Sequence, residues 1–171
     1  LQLWLIAFSL WFYGAASPYY LLLLLGSIAW NYAFFRAIER VSGDAMERAE
    51  YGMERDTSRK RLLLEIGIAG NLALLCCFKY FNAISAGWSQ MKGLEDPILQ
   101  LALPLGISFF TFQQIGFLAD AYKGEVGTCS LREYVLFVSF FPYVSSGPIV
   151  NAQEMLPQYR QIGRQRLDWE K

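Results

Sequence analysis

Histidine is absent from this sequence of 171 residues, and charged residues make up only 18% of it. Without an imidazole, these residues cannot by themselves complete a Ser-His-Asp triad. The 15 basic and 15 acidic residues cancel, so the chain lacks the basic surface that nucleic-acid binding requires. Its three cysteines, Cys76, Cys77 and Cys129, have no zinc-ligand spacing, and neither a P-loop nor a G-x-G-x-x-G motif occurs. The signals of the common soluble enzymes are therefore missing.

Hydrophobic residues, in contrast, are abundant at 54% of the chain, and they are separated from the charges. Such segregation is typical of membrane proteins, in which a spanning helix needs about 20 apolar residues. We expect an all-α integral membrane protein, a multi-helix transmembrane bundle with a re-entrant segment. The apolar segments lie at about 1–13, 18–35, 62–81, 98–122 and 134–150.

Prolines mark several of the expected helix boundaries. Segment 1–13 is interpreted as the tail of a helix that starts before Leu1, and we expect no secretory signal peptide. Pro18 suits the first turn of the next helix. Pro104 either opens the fourth helix, which is the interpretation we favour, or kinks a longer helix that begins near Ile98.

The basic residues predict the orientation of the chain in the membrane. Region 36–61 carries seven of them and is expected to be a solvated cytoplasmic loop, with or without a short amphipathic helix on the membrane surface, whereas the polar connector 82–100 carries only Lys92. Further basic residues follow Val150, so both ends of segment 134–150 are placed on the cytoplasmic side. We therefore expect this segment to enter the membrane and turn back between Pro142 and Pro148. Bent backbone at this depth must be covered by protein or line a cavity.

Two stretches carry the candidate site residues. Ser108, Thr111 and Gln114 form a polar stripe on a helix, which either lines a substrate path or joins helices through hydrogen bonds. Asn71, near the middle of its segment, is expected to hydrogen-bond to another helix. The predicted residues of the substrate path are Ser108, Thr111, Gln113, Gln114, Pro142, Ser145, Ser146, Gly147 and Pro148.

Several motifs, in order along the whole chain, resemble those of the bacterial membrane-bound O-acyltransferases. The main one is LPLGISFFTFQQ at 103–114, followed by DAYKG at 120–124. A second landmark combines SFFP at 139–142 with SGPI at 146–149, and MLPQ follows at 155–158. Asn31-Tyr32 and FKYFN at 78–82 fit the N-terminal pattern. The resemblance is strongest to the alginate O-acetylation branch, and it makes residues 1–171 the N-terminal part of one membrane domain.

This resemblance implies acyl transfer, most naturally of acetyl, at a bacterial inner membrane. The donor would be acyl-CoA or an acyl-carrier protein on the cytoplasmic side, with no tightly bound cofactor and no metal. The acceptor would be an extracytoplasmic polysaccharide hydroxyl, with a periplasmic acyltransferase as a partner. The family's essential histidine lies in a later segment, so no catalytic residue is assigned here and this part is expected to be inactive alone. Ser146 replaces the family's usual alanine, which leaves the acceptor open.

Two other functions are compatible with a polar, broken membrane interior. A transporter or channel would use discontinuous helices near the membrane midplane, usually in two matching repeats. The regions around Pro104 and Pro142 do not match in length or charge. A non-catalytic scaffold that binds an acyl-carrier or periplasmic partner is the other alternative. A histidine within a later apolar segment would favour the enzyme over both.

Overall fold

The computed structural model describes residues 2–50, 57–91, 104, 106–140 and 152–164, and all regular structure among them is helical. This agrees with the all-α expectation. The helices are α1 (Gln2–Ala16), α2 (Pro18–Glu50), α3 (Thr57–Met91), α4 (Ile107–Lys123), α5 (Leu131–Ser139) and α6 (Ala152–Arg164).

Among the described residues, two helices are long and apolar enough to cross a membrane, over Pro18–Asp44 in α2 and Thr57–Phe81 in α3. The predicted start of α2 at Pro18 is confirmed. With 33 and 35 residues, α2 and α3 are each about 50 Å long, whereas the hydrocarbon core is about 30 Å thick. Both helices therefore continue beyond the apolar layer.

The predicted connectors on either side of α3 are too long. Most of the loop expected at 36–61 is helical, since α2 continues to Glu50 and α3 begins at Thr57. Ion pairs one turn apart support this helical structure, at Arg36–Glu39 (2.5 Å) and Arg61–Glu65 (2.8 Å). The connector expected at 82–100 is likewise helical as far as Met91, because no proline interrupts that stretch. A change from apolar to polar side chains therefore does not end these helices.

Glycines in the left-handed conformation set both ends of α4. Gly106 has φ 71°, so Pro104 lies outside the helix, and neither a helix opened by Pro104 nor one kinked there is correct. At the other end, Gly124 has φ 82°. Its N–H donates to the Ala121 carbonyl (3.1 Å), and the next N–H donates to the Asp120 carbonyl (2.9 Å). This Schellman motif satisfies carbonyls that the helix end would otherwise leave unpaired.

The three helices α2, α3 and α4 pack directly against one another. A Cβ atom on Gly67 of α3 would lie only 2.9 Å from Leu118 Cδ1 of α4 and 3.5 Å from Phe34 Cγ of α2. Glycine therefore allows this close approach without displacing the end of the Leu118 side chain. An aromatic group connects α2 and α4 to α5, with ring centroids 5.1 Å apart for Phe35–Phe117 and 4.7 Å apart for Phe117–Tyr134.

The predicted segment 134–150 is described only in its first part. It begins within α5, a helix of nine residues that starts at a capping box formed by Ser130 and Glu133. Residues 141–151, which include the expected turn at Pro142–Pro148, lie outside the described residues. The re-entrant turn therefore stays a prediction.

Candidate functional site

A group of hydrogen-bonded polar side chains, which we name the amide cluster, joins α2, α3 and α4. It consists of Ser27, Asn31, Asn71 and Gln114, all of them buried. Asn31 and Asn71 donate to each other's carbonyl oxygens, at 3.0 Å and 2.6 Å. Asn31 Nδ2 also lies within reach of Gln114 Oε1, which accepts a bond from Ser27 Oγ at 3.1 Å. The hydrogen bond predicted for Asn71 to another helix is therefore confirmed.

The cluster pairs the buried amides of Asn31 and Asn71 with each other. Asn31 is 0% exposed and Asn71 is 2% exposed, and both belong to the two helices that are able to span the membrane. Asn71 Nδ2 also donates to the Gly67 carbonyl at 2.8 Å. In apolar surroundings, an amide without a partner costs several kcal/mol, so the facing positions of these residues constrain how the helices rotate.

Some buried polar atoms of α4 and α5 have no partner among the described residues. Gln113 uses its amide nitrogen to donate to the Phe137 carbonyl of α5, at 3.0 Å. The unpaired atoms are Thr111 Oγ1, Gln113 Oε1, Gln114 Nε2 and Tyr134 Oη. Such atoms normally bind water, a ligand or other protein groups.

The residues of the predicted polar stripe on α4 do not all lie on the same face of the helix. Thr111 and Gln114 are buried, whereas Ser108 is exposed, on the same side of the helix as Phe112. Gln113, also buried, contacts α5 instead of α2. Gln114 forms hydrogen bonds to another helix, as one of the two interpretations of the stripe predicts. The other interpretation, a role in a substrate path, stays a prediction. The other predicted site residues, Pro142, Ser145, Ser146, Gly147 and Pro148, lie outside the described residues.

Charged side chains from five parts of the chain lie at one end of the bundle, which we name the charged end. Its residues are Arg36, Lys60, Glu125, Glu133 and Arg160. Arg160 Nε donates to Glu133 Oε1 at 2.9 Å, and Arg160 Nη2 donates to the carbonyl of Thr128. Lys60 Nζ lies 5.2 Å from the centroid of the Tyr122 ring, near the end of α4. Within the described ranges, no three acidic, cysteine or histidine side chains gather as metal ligands.

At the charged end, Glu133 is held in its ionised form, which favours its ion pair with Arg160. Partial burial raises the pKa of Glu133, but hydrogen bonds from Arg160 and Ser130 outweigh this effect and keep the pKa below its usual value. Burial raises the pKa of the neighbouring Cys129 thiol to about 12. The thiol is therefore neutral near pH 7, and the carboxylate is charged.

Residues that the sequence interpretation left out also belong to this arrangement. Ser27 and Tyr134 were not predicted, because a serine in an apolar helix and a tyrosine near a helix end are common. Asn31 was noted only as part of a motif. An asparagine in the middle of each of two apolar segments is the signal that could have indicated a polar contact between them.

We predict that Asn31→Leu and Asn71→Leu are not additive in the complete protein. Each single change leaves an amide unpaired and should lower the free energy of unfolding by about 1–3 kcal/mol. The double variant removes both amides, so its loss should be smaller than the sum by about 0.5–2 kcal/mol. Denaturant unfolding in detergent measures this. Asn31→Leu combined with the distant, exposed Gln90→Leu is the control and should be additive. Additivity of the two asparagine changes would contradict the cluster.

Comparison with known proteins gives a consistent set of relatives. A peptidoglycan O-acetyltransferase of Helicobacter pylori is 34% identical over 193 aligned residues, which cover 98% of this chain. Proteins named "Probable alginate O-acetylase AlgI" are 31% identical over 82% of the chain in Pseudomonas syringae and 30% identical over 92% in Pseudomonas putida. No family model and no solved structure matches the chain.

The similarity covers nearly all of this chain but a smaller part of each relative. The chain spans 34%, 26% and 31% of the length of these three proteins, about a third or less. The relatives are the acetyltransferases that the motifs at 103–114 and 139–149 suggest. The regular structure of the described residues is helical, and two of their helices are candidate membrane spans. The chain therefore belongs to the membrane-bound O-acyltransferase family.

Proposed function

We propose that the complete protein is an O-acyltransferase that moves an acetyl group to a hydroxyl of a cell-envelope polysaccharide. The observation that carries this proposal is the 34% identity, over 98% of the chain, with a peptidoglycan O-acetyltransferase. Peptidoglycan is thus a candidate acceptor beside an alginate-like polysaccharide. A transporter or a non-catalytic scaffold has no support among these relatives, whose names describe acyl transfer.

The direction of transfer in this proposal is outward across the bacterial inner membrane. Positive residues favour the cytoplasm, and the charged end gathers Arg36, Lys60 and Arg160 from separate segments. An acyl donor, either acyl-CoA or an acyl-carrier protein, would approach this end. The polysaccharide would be acetylated at the other side, directly or through a periplasmic acyltransferase partner.

The chain would provide a wall of the reaction path and not the general base. In acyl transfer, the acceptor oxygen attacks the carbonyl carbon of the donor thioester, its proton passes to a base, and the thiolate leaves. Because the chain has no histidine, an imidazole base must come from elsewhere in the complete protein. The unpaired polar atoms of Thr111, Gln113 and Gln114 are suited to contact a polar substrate group.

We further propose that residues 141–151 turn back within a multi-pass membrane domain. The nine residues of α5 extend about 14 Å, roughly half the thickness of the hydrocarbon core. After the segment, Gln153 Nε2 donates to Glu125 Oε2 at 2.9 Å, and Arg160 pairs with Glu133. The chain therefore leaves and re-enters the charged end, which supports a re-entrant path.

The proposed activity is tested by transfer of labelled acetyl groups in membranes that contain the complete protein. We expect acetylation of peptidoglycan or exported polysaccharide, and a loss of at least about a hundredfold when one membrane-embedded histidine is replaced by alanine. Equal protein levels, measured by immunoblot, are the control. Transfer that persists without any such histidine would refute the proposed function and favour a scaffold or transporter.

We predict that Thr111→Val lowers acetyl transfer about tenfold, the equivalent of one hydrogen bond, without lowering stability. Valine keeps the shape of the side chain and removes a buried hydroxyl that has no partner among the described residues. A purely structural role would leave transfer unchanged. Steady-state kinetics and thermal unfolding should both be measured. Phe112→Leu, at a position 48% exposed on the same helix, is the control that should keep full activity.

The topology predicts different accessibility for two engineered cysteines, at Trp88 and Gln158. In intact cells, with the native cysteines replaced, a membrane-impermeant maleimide should label position 88 from outside. Position 158 should react only after the membrane is opened, because it is placed on the cytoplasmic side. Equal labelling of both positions from the outside would overturn the re-entrant path.

A further inference from the structure

An open pocket of about 460 Å³ lies at the charged end, between α2, the loop after α4, α5 and α6. Two arginines from distant parts of the chain line it, Arg36 of α2 and Arg160 of α6. Among the described residues of the lining, Glu133 is the only acidic one. This part of the lining therefore carries more positive than negative charge.

The carboxylate of Glu133 does not cancel the positive charge that a ligand would meet. Its two oxygens are already bonded, since Oε1 accepts from Arg160 Nε at 2.9 Å and Oε2 accepts from the backbone N–H of Ser130 at 2.8 Å. The exposed fraction of the side chain is 14% for Glu133 and 43% for Arg160. A ligand in the pocket therefore meets mainly the guanidinium group of this pair.

Both guanidinium groups keep hydrogen-bond donors that no described residue uses. Arg160 bonds through Nε and Nη2, to Glu133 and to the Thr128 carbonyl, which leaves Nη1. Arg36 bonds through Nη1 to Glu39, which leaves Nε and Nη2. The N–H groups of a guanidinium form a planar fork that matches the oxygens of a carboxylate or a phosphate.

The first turn of α5 adds to the positive potential of the pocket. Ser130 and Leu131 line the pocket at the start of this helix of nine residues. The N-terminus of a helix carries a partial positive charge, which favours anions. The helix dipole and the two arginines therefore favour the same kind of ligand.

A phosphate suits this arrangement better than a further carboxylate of the protein. A carboxylate presents two oxygens in one plane and pairs with a single guanidinium, as Glu133 does with Arg160 and Glu39 with Arg36. A phosphate presents oxygens in several directions, so it can accept from both guanidinium groups at once. The volume of about 460 Å³ also leaves room for the rest of a phosphate ester, because a water molecule takes up only about 30 Å³.

The pocket lies at the level where the apolar layer of a membrane ends. Arg36 follows Pro18 by about five helical turns, or about 27 Å along α2, and the hydrocarbon core is about 30 Å thick. The candidate span Pro18–Asp44 therefore brings Arg36 to the headgroup region on one side. Basic pockets between membrane helices at this level bind the phosphates of lipid headgroups.

We propose that Arg36 and Arg160 together bind one phosphate group in this pocket. Two sources present this chemistry at the charged end: the headgroup of an anionic phospholipid, and a soluble phosphate ester such as coenzyme A, which carries the donor in the proposed function. In either case the phosphate connects the end of α2 to α6 through charge-assisted hydrogen bonds. The site rests on the geometry of the pocket, so its test measures binding, which can fail while acetyl transfer persists.

The test measures binding of two probes to the complete protein in a neutral detergent. Native mass spectrometry counts the phosphatidylglycerol molecules that the protein retains, and isothermal titration calorimetry measures coenzyme A. Arg36→Gln removes one guanidinium and should weaken binding at least about tenfold. Arg61→Gln is the matched control, because it also removes an exposed arginine and its ion pair one helical turn away, but outside the pocket. It should leave binding unchanged.

A second variant keeps both arginines and adds a negative charge. Leu131→Glu introduces a carboxylate into the lining at an exposed position, and an acidic residue in the first turn suits the helix dipole, so the fold should be retained. It should weaken binding as much as Arg36→Gln does. Leu131→Gln is its neutral control and should bind like the wild type.

The two probes distinguish the source of the phosphate. Weaker retention of phosphatidylglycerol alone in both variants assigns a lipid headgroup, weaker binding of coenzyme A alone assigns a soluble ester, and weaker binding of both shows that the pocket accepts either. Binding that is the same in the wild type, Arg36→Gln and Leu131→Glu would overturn the proposal. Absence of wild-type binding would overturn it as well, and an unfolding temperature lower for Arg36→Gln than for Arg61→Gln would then indicate that an acidic segment of the protein fills the pocket.

Discussion

Hydrogen bonding between Asn31, Asn71 and Gln114 is the interaction on which the arrangement of the three longest packed helices depends. Each amide would be costly to bury alone in an apolar layer, so the helices must rotate until the amides face one another. Close to these amides along α3, Gly67 packs against Leu118 of α4 without displacing that side chain. Polar pairing and close packing thus require the same relative position of the helices.

Several other features follow from this position. The rotation of α4 that directs Gln114 toward α2 also buries Thr111 and turns Ser108 outward. It directs Gln113 and Phe117 toward α5, where Phe117 packs against Tyr134. On the outer side of α2 and α3, the same pairing leaves Gly26 and Gly70 beside an open groove. The hydrogen-bonded amides therefore lie between the polar side chains of α4 and the apolar surface that α2 and α3 share.

The chemistry expected of the family is divided between parts of the protein. This chain contributes membrane-embedded packing, buried polar atoms and a charged end, but it has no histidine. The relatives are about three times as long, which is compatible with a base located in the remaining part. In the proposed enzyme, this part of the protein would hold and orient the reaction path, and its unpaired atoms on α4 are groups with free hydrogen-bonding capacity toward it.

Composition and local patterns were sufficient to predict the helical class of the described residues, two of the apolar spans, the start of α2 at Pro18 and the family. Helix ends were harder to predict, because α2 and α3 continue into polar stretches that lack proline, and because a left-handed Gly106 starts α4 after Pro104. The hydrogen-bond partners of the polar residues could not be predicted from the spacing of those residues in the sequence. Ser108 and Thr111 share a periodic stripe, yet rotation of the packed helix exposes one and buries the other. Residue types and periodicity determine which segments become helices, whereas the pairing of amides from distant segments decides which of their faces meet.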